Sequence, residues 1–386
     1  MFETQDLPRL RDAIRQRAQS DRAILEELRE EVRELKPEVR PIQPRTTTAI
    51  SLVASDGGNN QLVFDPFHVQ LVRVVDSYGK QLFLDTVSPT SDPDQLCDAQ
   101  FHADGTPKTP LGRMILDLNV QPRSLHGLSP MLPEGKKVRE NPELVSPSWV
   151  LVYRDLCEWA VLYDRICYHS FATDTLIVRD GFLRSKLFAR DYFIRYRKRV
   201  EEAVQEIYEK DRRKVFLVGI AKHSKVLTRY NLALSVEGVL PSGEARYVRI
   251  PRLMEAKAYV WPEYARGAET EGEGEAPKFV AGDMFFVRFG KHSGDPIWSI
   301  DVFSKHSDKA NEIFGYLLAD AIAGFPIPFY PRCLQKAHEY AQIVDFDLEI
   351  LQDEIISAVR DLLSGNEKQV LDAMQLQTDF AGRRYQ

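Results

Sequence analysis

The sequence predicts an α/β protein: a mixed sheet flanked by helices, with a long N-terminal helix and a large loop-rich insertion. Three observations carry this prediction. Strand-like runs follow one another closely between residues 48 and 88. Beyond residue 148, apolar runs of buried-strand type (TLIVRDG, KVFLVGIAKHS) alternate with helix-patterned segments. The chain has 386 residues, enough for two average domains or one large domain with insertions.

The elements can be justified in order. Over residues 7–36, Leu7, Leu10, Ile14, Leu25, Leu28, Val32 and Leu35 recur at helical steps among charged neighbours. This predicts one long helix with a narrow apolar stripe, packed either on its own domain or in a dimer or partner seam. Pro37 ends it, so residues 1–40 form an arm and 41–386 the main domain. TAISLVASD (48–56) reads as a strand, GGNN as a tight turn, and the runs either side of Tyr78-Gly79-Lys80 as a hairpin. Residues 89–148 are rich in Pro and Asp and read as an irregular insertion with at most short elements.

A helix follows at PSWVLVYRDLCEWAVLYDRICYHS, then the strand TLIVRDG. A helical region precedes the strand KVFLVGIAKHS, and YNLALSVEGVL and ARYVRI read as further strands. Residues 262–282 form a second insertion, whose acidic, Gly-rich part (266–278) predicts a mobile loop. MFFVRFG and PIWSIDVF form a strand pair, and the remainder is mostly helical, with an apolar face at Ile350, Leu351, Ile355, Ile356, Val359 and Leu362.

Composition excludes several classes. A net charge of -6 argues against coating nucleic acid by bulk charge. No apolar run reaches the roughly 18–20 residues that span a bilayer, and MFETQDLPRLRDAIRQR has no apolar signal core. Cys97, Cys157, Cys167 and Cys333 form no CxxC pair. They read as reduced thiols of a cytoplasmic protein without membrane contact. There is no GxxxxGK[ST]; in GDMFFVRFGKHS the earlier Gly is too distant and His follows the Lys. The chain therefore carries no nucleotide-triphosphate motor of that type.

Three acids sit where chemistry is expected: Asp56 and Asp180, each read as ending a strand before Gly, and Glu158 on the intervening helix. In an RNase H-like fold, adjacent parallel strands bring two such carboxylates together and the helix lays the third over them. Convergent carboxylates need cations, and oxygen donors with open positions suit Mg²⁺ or Mn²⁺. Two ions could hold a phosphodiester and activate water. Asp-Gly is also ordinary turn chemistry, and the sequence leaves that alternative open. Lys222 leaves its strand near Asp180, either to stabilise charge on phosphate or as a solvated strand-end lysine.

The pieces ISLVASDGG, LIVRDGFLRS, VFLVGIAKHSK and PIPFYPRCLQKAHEYA, spanning residues 50–341, resemble the NurA nuclease family in order and style. The resemblance implies an RNase H-like core, manganese-dependent cleavage of DNA, and a homodimer seated on a HerA-type hexameric ATPase in a prokaryotic cytoplasm. Asp56 falls on the first acidic motif, although Gly-Gly follows it where many members have Gly-Ser. Asp180-Gly181-Phe182-Leu183 is similar to the second, Asp-Gly-Ser-Leu. Glu158 falls on the helical acid, with Asp155 and Asp164 as near neighbours. His338 falls on the late motif, as a fourth metal ligand or a phosphate contact. Tyr330 resembles an aromatic position near the family's active site.

Residues 184–199 concentrate basic side chains, with Phe188, Tyr192, Phe193 and Tyr196 interleaved. Arg184, Lys186 and Arg190, joined by Lys225 and Tyr330, are the expected DNA contacts. The aromatics fit a helix core better than a stacking platform. The leading function is a metal-dependent deoxyribonuclease acting at DNA ends with a separate ATPase, in end resection or anti-phage defence. The rival is a catalytically inactive nuclease-derived subunit that docks on the ATPase and positions DNA. A metal phosphoesterase for small substrates would not need the basic stretch.

Overall fold

A computed structural model describes residues 6–46, 50–64, 67–261, 279–342 and 345–373. The described strands form one mixed sheet of nine: β1 (Arg40–Pro41), β2 (Ser51–Phe64), β3 (Phe67–Asp76), β4 (Gln81–Val87), β5 (Thr175–Asp180), β6 (Val215–Ala221), β7 (Arg246–Arg249), β8 (Gly282–Arg288) and β9 (Ile297–Phe303). Their spatial order is β1-β7-β8-β9-β6-β5-β2-β3-β4. β2, β3 and β4 make an antiparallel meander, while β2, β5 and β6 run parallel. A three-strand meander continued by two parallel strands is the RNase H-like order, as expected. β9 pairs antiparallel with β6 and extends the sheet through β8, β7 and β1.

β5 and β6 lie at the centre and are buried along almost their whole length, which is why they read as continuous apolar runs. Alternate residues of β5 serve different faces. Ile177 packs with helices Trp149–Tyr168 and Tyr192–Asp211. Leu176 and Val178 pack with helices Ala310–Ile322 and Arg332–Ala341. Trp159 is enclosed edge-on by Phe188, Phe193 and Tyr196, so these aromatics belong to the core. Among the described residues, no helix is long and apolar enough to cross a membrane.

Three expectations are corrected. The N-terminal helix is two, Asp6–Ser20 and Arg22–Arg33, parted at Asp21. The first buries none of its residues. The second buries Val32 and, with Leu35, packs against helix Lys225–Glu237. Glu237 fastens this join, accepting from Arg29 Nε at 2.7 Å, Arg33 Nε at 2.9 Å and Lys36 Nζ at 3.3 Å. Arg33 and Arg29 hold the Glu237 carboxyl down at about 2. Its stabilisation is thus present above the ordinary carboxyl range and lost as pH falls from about 4.5 towards 2. Glu237→Gln should speed amide exchange across residues 22–35 at neutral pH, measured by hydrogen–deuterium exchange; unchanged protection would refute this fastening.

GGNN is not a turn, because β2 runs through it to Phe64. Backbone approach explains these glycines: a Cβ on Gly57 would strike the Glu158 carboxylate, and one on Gly58 the Ala341 carbonyl. YNLALSVEGVL is not a strand but part of helix Lys225–Glu237. Ser224 caps that helix by accepting from Leu227 N–H, and Gly238 closes it at φ 58°. The insertion 89–148 has only short elements, as expected, and part of it packs into the main core. Leu111, Met114, Leu125 and Leu128 enter the main core through its helices. Most of the 262–282 insertion, including the acidic stretch, lies outside the described residues.

Candidate metal centre

The centre is built where β2 and β5 part. Their parallel pairing ends at Ser55 and Arg179, and the next residue on each strand is an acid. Asp56 therefore sits within β2 and not at its end, but at the point where β2 outruns β5. Asp180 closes β5. Helix Arg332–Ala341 crosses β2 and delivers His338, whose Nδ1 lies 2.8 Å from Asp56 Oδ2. Ligand atoms of Asp56, Asp180 and His338 all fall within 4.8 Å of one another. Two carboxylates and an imidazole converging at one point suit a divalent cation.

The neighbours are ordered around the acids. Asp56 Oδ1 also accepts from Gly57 N–H at 2.8 Å. Lys222 Nζ reaches Asp180 Oδ2 at 2.7 Å. Tyr330 donates its hydroxyl to Asp180 Oδ1 at 3.4 Å. Burial and the nearby Asp180 push the tyrosine upward, so it stays a neutral donor.

Glu158 is close to this group but outside its ring of ligand atoms. It comes from helix Trp149–Tyr168 and meets β2 at Gly57, next to Asp56. Arg179 Nη2 stands 3.6 Å and Arg154 Nε 3.4 Å from its two oxygens. Even so, burial and the adjacent Asp155 push its carboxyl up to about 8. The local positive charge thus falls short of what this acid needs when ionised, the situation a bound cation relieves. Gly57→Ala should displace Glu158, since the new methyl meets the far end of a flexible side chain. A loss of about 10–100-fold in metal-dependent activity is expected with little loss of stability. Activity equal to wild type in a metal titration would remove Glu158 from the centre.

The expected DNA contacts fare differently. Arg184 is a correction: its side chain is fully buried, with Nη1 2.6 Å from Glu255 and Nη2 2.6 Å from Asp301. It has no surface from which to reach phosphate. Tyr330 is a second correction. Its ring is buried beneath Trp298, with centroids 4.8 Å apart, so it positions Asp180 and does not stack on bases. Lys186, Arg190 and Lys225 are exposed. Lys186 lies over the Trp261 ring, and Arg190 donates to the Gln121 carbonyl at 3.2 Å. None of the three lines the cleft that opens on the centre.

Sequence reasoning missed Arg179. Its guanidinium lies over Trp159 at 4.2 Å and bonds Asp155 at 2.6 Å. Its position beside Asp180, on a strand whose residues alternate between faces, was the available signal.

No family model and no curated protein matches this chain. Solved structures are similar to it over nearly their whole length. The NurA nuclease from Sulfolobus solfataricus has 13% identity and a TM-score of 0.42, covering 94% of this chain and 99% of that chain. NurA bound to dAMP and manganese has 12% identity and a TM-score of 0.40, covering 96% and 100%. NurA with manganese has 13% identity and a TM-score of 0.38, covering 94% and 99%. These neighbours bear the name of the family that the sequence pieces resemble.

Proposed function

We propose that this chain is a metal-dependent deoxyribonuclease of the NurA type, hydrolysing phosphodiester bonds at DNA ends. The observation that carries the reading is the convergence of Asp56, Asp180 and His338 within 4.8 Å at the end of the parallel strands. These three residues would hold a divalent ion, and Glu158 would complete the site for a second. A ligand set mixing imidazole with carboxylates favours Mn²⁺ over Mg²⁺, because nitrogen donors bind the later ion better. Bound there, such ions polarise the phosphate and lower the pKa of water.

The remaining roles fall to the chain itself. Asp56 anchors the His338 ring through Nδ1, leaving Nε2 towards Gln342 at 3.2 Å. Tyr330 and Lys222 fix the two oxygens of Asp180. When phosphate enters, the Lys222 ammonium is close enough to Asp180 to share its protons with the incoming oxygens. In the net reaction a water oxygen bonds to phosphorus as the P–O ester bond breaks. The attacking water gives up a proton to solvent, and the released alkoxide takes one up to leave as the alcohol.

The sequence contains no GxxxxGK[ST], so sustained degradation would draw on a separate HerA-type hexameric ATPase. A homodimer in a prokaryotic cytoplasm, engaged in end resection or anti-phage defence, completes the proposal. Duplexes labelled at the 5′ or 3′ end, titrated with Mn²⁺ with and without the ATPase, test it. Metal-dependent shortening is expected. Intact DNA under every condition would favour the rival, a docking subunit without catalysis.

A further inference from the structure

A cleft of about 600 Å³ opens beside the metal centre. Lys222, Tyr330 and His338 line its inner end, and each touches one of the two acids. Its outer wall carries Phe325, a residue 84% exposed. A phenyl ring left this far in water gains nothing from folding.

The ring is nevertheless held on a braced loop. Gln335 Nε2 donates to the carbonyls of Ile327 at 3.1 Å and Tyr330 at 2.9 Å, and Oε1 accepts from Ile327 N–H at 2.9 Å. Gly324 closes the loop so tightly that a Cβ would strike the Tyr330 carbonyl. The same cleft is lined by Arg332 and Lys336, whose side chains make no hydrogen bond or ion pair with another described residue. Within this cleft the lining acid is Glu339, and Asp320 lies with them in a neighbouring cleft. An aromatic face on a braced loop, with uncommitted cations lining the same cleft, matches the pairing of base and phosphate in a single strand.

We infer that Phe325 stacks on an unpaired base of a DNA strand end while Arg332 and Lys336 hold the adjoining phosphates, making the cleft selective for single-stranded ends. This rests on the nuclease reading of the centre. Phenylalanine offers a base no hydrogen bond, only a π face, so the contact tolerates any sequence. Within a duplex both faces of a base are already covered, and stacking on Phe325 would first require unstacking it.

The test reads binding and not cleavage. Full-length protein in Ca²⁺ is titrated into a short single strand with 2-aminopurine at its terminus, and into the same sequence as a blunt duplex. The expected results are quenching on the single strand and a Kd about 5–100-fold weaker for Phe325→Ala. Phe325→Trp should restore affinity, and duplex binding should change little. Unchanged single-strand affinity in Phe325→Ala, an equal loss on both substrates, or no binding by wild type overturns the inference. The nuclease reading is judged separately, by Mn²⁺-dependent cleavage with the wild type. A chain that binds through Phe325 but never cleaves would sink that reading alone.

Discussion

Asp56→Asn is expected to leave the protein folded and to lower metal-dependent DNA cleavage by roughly a thousandfold or more, the equivalent of about 4 kcal/mol of transition-state stabilisation. Asparagine keeps the size of the side chain and can still accept from Gly57 N–H through its oxygen. It removes one of the two negative charges at the centre. It also turns the atom facing His338 Nδ1 into a donor, which constrains the imidazole tautomer. Without metal the variant should be no less stable than wild type, because Asp56 is among the charges that destabilise ionised Glu158. With Mn²⁺ the wild type should gain thermal stability and the variant should not. Matched thermal melts and end-labelled cleavage assays measure both effects. Cleavage at the wild-type rate would remove Asp56 from the reaction.

Arg184→Met is expected to cost about 3–5 kcal/mol of stability, by stranding the buried carboxylates of Glu255 and Asp301 without their counter-charge. Arg184 Nε and Nη2 bond Asp301 at 2.9 and 2.6 Å, and Nη1 bonds Glu255 at 2.6 Å. Asp301 also accepts from Leu183 N–H at 3.0 Å, so the network pins the chain just after Asp180 to β9. Arg252 supports Glu255 from the other side at 3.0 Å, which moderates but does not remove the loss. Denaturant unfolding of Arg184→Met, alone and combined with Asp301→Asn, measures the effect. The second change should recover part of the stability by removing one orphaned charge. A single variant as stable as wild type would contradict this account.

Arg184 shows where the sequence misleads. Arginine beside other arginines, just after a candidate ligand, looks like a phosphate contact. Its partners Glu255 and Asp301 lie 71 and 117 residues further along the chain, and local pattern carries no trace of them. The acids were legible for the opposite reason: their placement follows from the order of strands and helix, which apolar runs do reveal. β5 and β6, buried on both faces, left the clearest signal. Glycine misled at GGNN because the residue that permits a turn also permits close approach, and only Glu158 and Ala341 in three dimensions decide between them. The helix at 225–237 hid behind β-branched and apolar residues, although Ser224 and Gly238 marked its ends. Phe325 and Gln335 had no periodic pattern to reveal them.

The contact between Asp56 and His338 joins residues 282 positions apart, and this has a bearing on synthesis. Both acids leave the ribosome well before the imidazole. Tyr330, which steadies Asp180, follows it by 150 residues, or about 10–30 s at ordinary elongation rates. During that interval the growing chain holds two carboxylates with no histidine to complete the centre. On the proposed function, a cutting site assembled from residues this far apart would stay incomplete in a nascent or truncated product. Under that reading, DNA would meet the complete centre only once helix Arg332–Ala341 has docked.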